Sequence, residues 1–232
     1  QANVGTNLAV TVVDVLSGPA AANYSLTQPT GLTANIIPAP LGIAVTATYS
    51  GSTSVVPTAF TVTGLVNNET ITGLASASLS NANVAANSNN YVTAITMSGG
   101  SATLSNYAIS PSYQSAVGST QNMATLNAKG LTITASDVTN AVYGTAYLLG
   151  TSAFTSAGLV AGDAVNSVIL TYGSASTVSA ITNAGNYSAS ITPSAAVGSG
   201  LANYTITYVA GTLSVRQATL TITPNAATAV YS

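Results

Sequence analysis

Any chemistry in this chain has to come from very few groups. The sequence holds four carboxylates (Asp14, Glu69, Asp137 and Asp163), Lys129, Arg216 and 12 tyrosines, and it has neither His nor Cys. General acid–base catalysis needs a titratable group tuned near the working pH, and no such group stands out. We therefore expect no enzyme: no catalytic, cofactor-binding or metal-ligating residues, and no cofactor. Glu69 and Asp163 do recur, each following a Gly-Leu-Val segment. Two readings compete for them, a calcium ligand or a turn residue bonding its own backbone. Calcium sites gather several oxygen ligands, so one acid per turn favours the turn.

Three other features invite functional readings. Asn-x-Ser/Thr occurs at Asn23, Asn68, Asn186 and Asn203, the pattern of glycosylation acceptors. Two of the four belong to a recurring Asn-Tyr element whose third copy, Asn106-Tyr107-Ala108, breaks the pattern, so a structural role is expected. Lys129 is the single Lys and lies at a repeat seam, away from an expected core, which speaks against a Lys–Asn cross-link. Tyr91, Tyr113, Tyr147, Tyr172 and Tyr208 could form a sugar platform, but scattered tyrosines more often stiffen strands.

Charged residues make up 3% of the chain, against a typical share of about 25%. A net charge of −2 provides no steering field, so nucleic acid and anionic membranes are not expected partners. With 47% apolar residues the chain does not read as disordered. A near-neutral surface tends towards self-association. No apolar run is long enough for a transmembrane helix, so no membrane insertion is expected. Gln1-Ala2-Asn3-Val4 lacks the charged and apolar regions of a signal peptide, and the chain reads as an interior window of something longer.

The elements that would position these residues repeat. Phe60 and Phe154, Gly64 and Gly158, and Tyr49 and Tyr143 are each 94 apart (154 − 60, 158 − 64, 143 − 49). Four anchors recur in order. A strand leads to a Tyr turn at Ala44–Gly51, at Leu131–Gly144 and at Leu220–Ser232. A Phe leads to Gly64-Leu65-Val66-Asn67-Asn68-Glu69 and to Gly158-Leu159-Val160-Ala161-Gly162-Asp163. An Asn/Gly turn appears at Gln1–Gly5, Asn81–Ala85 and Asn183–Tyr187. Asn23-Tyr24, Asn106-Tyr107 and Asn203-Tyr204 each open a short polar–apolar alternation. This divides the chain into the back half of one repeat (1–39), two complete repeats (40–128 and 129–216) and the opening strand of another (217–232). At roughly 90 residues such a repeat is domain-sized.

Within the repeats, Thr-Val-Thr, Thr-Ile-Thr and Tyr-Thr-Ile-Thr-Tyr-Val alternate with period two, as half-buried strands do. We expect a mainly β protein of small antiparallel domains, β-sandwich or β-grasp-like, arranged in tandem end to end. Ala75 to Ala86 is left open as a short helix. Tyr24, Tyr107 and Tyr204 are expected to be equivalent buried positions, as are Phe60 and Phe154. Lys129 and Arg216 should mark exposed linkers.

These anchors resemble the MBG and YDG domains of large bacterial haemagglutinin-like adhesins. Repeat 129–216 is similar to the Tyr-Gly type through Tyr143-Gly144, Gly158–Asp163, Asn203–Thr207 and Gly211-Thr212-Leu213. Repeats 1–39 and 40–128 resemble the Tyr-Asp-Gly type, with Ser50 in place of Asp and Asn68-Glu69 in place of Gly-Asp. The resemblance implies an extracellular or outer-cell-surface bacterial protein serving as stalk or filament material. It brings no catalytic residues. Expected partners are neighbouring repeats or further copies of the chain, with host or cell-surface glycans as the alternative if the repeats are instead a binding module.

Overall fold

The computed structural model describes residues 3–231. Gln1, Ala2 and Ser232, which belong to two of the anchors, lie outside the described residues. The chain divides into two units, one running to Thr48 and resuming over Ser52–Asn127, the other made of Tyr49–Gly51 and the residues from Ala128 on.

The first unit contains β1 (Gly5–Ala9), β2 (Thr33–Ile36), β3 (Ala39–Thr48), β4 (Ser54–Val55), β5 (Ala59–Thr63), β6 (Ile71–Leu79), β7 (Val92–Gly100), β8 (Tyr107–Ile109) and β9 (Asn122–Asn127). The second contains β10 (Lys129–Ala135), β11 (Val138–Val142), β12 (Tyr147–Leu148), β13 (Phe154–Ala157), β14 (Ala164–Tyr172), β15 (Thr177–Val178), β16 (Gly185–Ser199), β17 (Tyr204–Val209) and β18 (Gly211–Arg216). Among the described residues there is no α-helix, only single 3-10 turns such as Leu104–Asn106 and Leu201–Asn203. The Ala-rich stretch left open above is the end of β6 followed by one such turn, Val84–Ala86. Among the described residues no helix is long and apolar enough to cross a membrane.

The expected alternation is present. Leu41, Ile43, Val45 and Ala47 of β3 are buried, as are Leu131, Ile133 and Ala135 of β10 and Leu213 and Val215 of β18. Each fully buried Leu or Ile contributes about 1.5–3 kcal/mol. Thr46, Thr132 and Thr134 stand on the more accessible faces of the same strands.

The pairing is mixed, which corrects the antiparallel expectation. The hairpins β6–β7 and β14–β16 are antiparallel, and β3 and β10 each pair antiparallel with a Phe strand, β5 and β13. The opening strand, however, runs parallel to the closing ones: β3 to β8 and β9, β10 to β17, and β11 to β18. A parallel pair needs a long crossover, and the intervening hairpin region provides it in place of a helix. Period-two patterning shows that strands exist but carries no sign of direction.

Three further expectations are corrected. Tyr107 and Tyr204 are buried, each 8% exposed, whereas Tyr24 is 72% exposed. Tyr107 and Tyr204 each begin a strand beside an opening strand, while residues 24–27 lie outside any strand. Phe60 and Phe154 are half-buried rather than core, Phe60 packing against the edge of the cluster around Ile43 and Leu126. The first seam is a strand end rather than an exposed linker, Lys129 being half-buried and opening β10 opposite Tyr204. Arg216 closes β18 opposite Val142, but it is exposed and is followed by exposed residues outside any strand.

The first unit's core also carries amides in place of apolar side chains. Asn122, fully buried, accepts from the Val92 N–H at 2.8 Å and donates to the Val92 and Ser110 carbonyls at 2.8 and 2.6 Å. Asn90, equally buried, accepts from Ser80 Oγ and the Asn81 N–H and donates to the Asn81 carbonyl. Asn87 bonds both backbone groups of Leu126. These amides satisfy backbone groups that would otherwise be buried without partners.

Candidate functional site

The recurring acids sit in turns built by their neighbours. Gly64 and Gly158 have φ of +87° and +107°, and a Cβ at either would lie 2.6 Å from the Pro40 carbonyl or 2.4 Å from that of Gly130. Glycine is required there by both conformation and space. Gly162 then takes φ +96°, and its counterpart Asn68 takes φ +60°. Asn tolerates the left-handed region better than most residues, which explains how Asn68-Glu69 replaces Gly162-Asp163 without loss of the turn. The turn closes through Asp163 N–H to Val160 O and Glu69 N–H to Val66 O.

Each acid then accepts from a tyrosine. Tyr204 donates to Asp163 Oδ2 at 2.7 Å, and its oxygen accepts the Val160 N–H at 2.9 Å. Tyr107 donates to Glu69 Oε2 at 2.7 Å and accepts the Val66 N–H at 3.1 Å. The phenol thus ties the acid turn to the start of the following strand twice. Tyr49, within the second unit, adds a third phenol: it donates to Asp163 Oδ2 at 2.9 Å and packs edge-on against Tyr204, ring centroids 5.4 Å apart. Gly200, at φ +73°, lies against the Asp163 carboxylate, which a Cβ there would overlap.

Burial pushes the Tyr204 hydroxyl up to about 12; the Val160 N–H opposes this and the Asp163 carboxylate reinforces it. Tyr49 is raised by burial and by Asp163, against a hydrogen bond with Asn203. Tyr107 is raised by burial, opposed by the Val66 N–H and reinforced by Glu69. Phenols held protonated in this way act as hydrogen-bond donors.

The structure refines the turn reading of the acids. The turn is there, but the side chains of Asp163 and Glu69 serve tyrosines, not their own backbone. No group of three or more His, Cys, Asp or Glu gathers among the described residues. Of the glycosylation candidates, Asn203 is 5% exposed inside its turn, while Asn23 and Asn186 are exposed. Of the platform tyrosines, Tyr172 stacks edge-on with Tyr187 at 5.9 Å, and the Tyr208 oxygen accepts the Ala196 N–H. The acid–tyrosine pairs were missed because the anchors were read one at a time. The available signal was that the same acid turn is followed by the same Asn-Tyr anchor in both repeats, 38 and 41 residues on (107 − 69, 204 − 163).

Residues 131–214 match the family model of the MBG domain (YGX type). The match covers 84 of 232 residues (214 − 131 + 1) and bears out the resemblance drawn from Tyr143-Gly144 and Gly158–Asp163. The MBG segment contains Asp163 and Tyr204, whereas Tyr49, Glu69 and Tyr107 lie outside it. No curated protein and no solved structure matches the chain.

Proposed function

We propose that the chain is a tension-carrying structural segment of a bacterial adhesin-like protein, built of tandem β repeats and displayed outside the cell as stalk or filament material. The observation that carries this reading is the parallel pairing of opening with closing strands. In the first unit β3 runs beside β9 from Ile43↔Asn122 to Thr48↔Asn127. In the second, β10 runs beside β17 and β11 beside β18. Pulling the two ends of such a repeat apart slides parallel neighbours past each other, so their hydrogen bonds are strained together rather than opened one by one. The MBG match supports an adhesin-like repeat. Partners in this reading are neighbouring repeats or copies of the chain, and the reading includes no catalysis.

A glycan-binding module is the alternative. It is less well supported: the cavity of about 480 Å³ in the first unit, lined by Pro38, Pro40, Ile109 and Pro111 among others, presents no aromatic ring and no charge. A glycan array probed with the intact chain separates the two. The structural reading expects no saturable binding, and reproducible binding to a defined glycan class would replace it.

A further inference from the structure

Three residues of the second unit come from the middle of the first unit's stretch of chain. Tyr49, Ser50 and Gly51 belong to the second unit, while Thr48 before them and Ser52 after them belong to the first. In sequence, Tyr49 is the Tyr-turn residue of the repeat 40–128, as Tyr143, 94 residues on, is that of the repeat 129–216. The acid that Tyr49 bonds, Asp163, belongs to the later repeat.

The second unit takes in this turn closely. Tyr49 is 6% exposed, donates to Asp163 Oδ2 at 2.9 Å, shares a hydrogen bond with Asn203 and sets its ring edge-on to Tyr204. Gly51, at φ +74°, turns the chain so near Val160 that a Cβ would lie 3.0 Å from that side chain. Both flanks of the turn are held within the first unit. Thr48 pairs with Asn127 where β3 runs beside β9. The Thr53 carbonyl accepts the Leu79 N–H at 2.8 Å, and buried Val55 pairs with Ala77. One Cα step of about 3.8 Å joins Thr48 to Tyr49. β3 therefore cannot leave its place without withdrawing the tyrosine from the acid.

Resting on the tension-carrying reading above, we propose that Tyr49-Ser50-Gly51 is a latch: the Asp163–Asn203–Tyr204 site receives the tyrosine turn of the preceding repeat, so that consecutive repeats unfold as one. What the seated tyrosine contributes to the second unit is contributed only while the first unit holds its flanks, and linkage makes that dependence reciprocal. Asp163 Oδ2 serves two phenols, Tyr204 of its own repeat and Tyr49 of the one before. Repeats coupled to their nearest neighbours share a load instead of opening singly.

The test follows urea unfolding of the whole chain by amide resonances. Ile43 and Leu126 report the first unit, Val160 and Val168 the second, each N–H being hydrogen-bonded inside its own unit. Tyr107→Phe perturbs the first unit alone, removing the bonds to Glu69 and Val66. With Tyr49 in place, both sets of reporters should share one midpoint, and Tyr107→Phe should lower it for both by about 1 M on the usual urea slopes. In a Tyr49→Ala background the same substitution should move only Ile43 and Leu126. If Tyr49→Ala unfolds the second unit outright, Tyr49→Phe takes its place, keeping the ring and losing the Asp163 bond, and the second unit's response should shrink. Separate midpoints with Tyr49 in place would overturn the proposal. So would a second unit that still follows Tyr107→Phe in full once Tyr49 is changed, because the coupling would then run through the Asn127–Ala128 seam. Either result leaves the tension-carrying reading standing, whereas a glycan hit removes that reading whatever the midpoints do.

Discussion

Replacing Tyr204 with Phe keeps the buried ring and removes one oxygen. That oxygen accepts the Val160 N–H at 2.9 Å and donates to Asp163 at 2.7 Å. A neutral hydrogen bond contributes about 0.5–1.5 kcal/mol and one to a charged group about 1.5–3. The expected loss is therefore about 2–4 kcal/mol, a large part of the roughly 5–15 kcal/mol that holds a typical domain. Tyr204→Ala also empties the aromatic site and should cost a further ~3 kcal/mol. Because the chain has two units, a single global transition cannot be assumed. Urea unfolding should be followed by amide exchange in β10 and β17, with Val160 as the local reporter. The Phe variant should lower the stability of these strands and release the Val160 amide. A change below about 0.5 kcal/mol with Val160 still protected would refute the claim that the phenol ties the acid turn to β17.

The raised tyrosines set a pH dependence. A group with a raised folded pKa holds its proton after the unfolded chain has lost it, so its stabilisation is complete below about pH 10 and declines towards pH 12. The melting temperature should be level from pH 7 to 9 and fall above about 10, and a fall beginning below pH 9 would contradict the assignment. Trypsin has only Lys129 and Arg216 to cut. With Lys129 paired in β10 and residues 217–231 exposed, cleavage after Arg216 should come first by mass spectrometry, and early release of 130–216 would show that β10 frays. Asn122→Ala abandons three buried hydrogen bonds and should cost about 3 kcal/mol or more. A loss under 1 kcal/mol in denaturant titration would mean that water replaces the amide.

Much of the strand content was legible because it depends on local alternation. Leu131 and Ile133 were in view from period two alone. Parallel pairing was not, since strand direction is decided by tertiary topology and β11 carries the same Ala-Val signal whichever way its neighbour runs. Asn90 and Asn122 were also hidden. Asn in Asn-rich stretches reads as turn material, and the strands whose backbone these amides satisfy are distant in sequence or not identifiable in advance. The acid–tyrosine pairs were half legible: the turn, the acid and the Tyr were each found, but a contact spanning 38 or 41 residues (107 − 69, 204 − 163) leaves no local trace. Tyr24 shows the reverse failure, where an identical motif met a different environment.

Mechanical extension tests the tension-carrying claim most directly. The sequence has no Cys, so single cysteine handles can be placed beyond each end of the second unit and the chain stretched by optical tweezers. If parallel pairing of β10 with β17 and β11 with β18 resists shear, the unit should yield in one abrupt rupture. Freeing residues 129–216, 88 in all (216 − 129 + 1), should lengthen the chain by about 300 Å at ~3.5 Å per residue. A smooth, low-force lengthening with no discrete event, or a force no greater than that needed to peel the antiparallel β14–β16 hairpin open from its turn, would contradict the account.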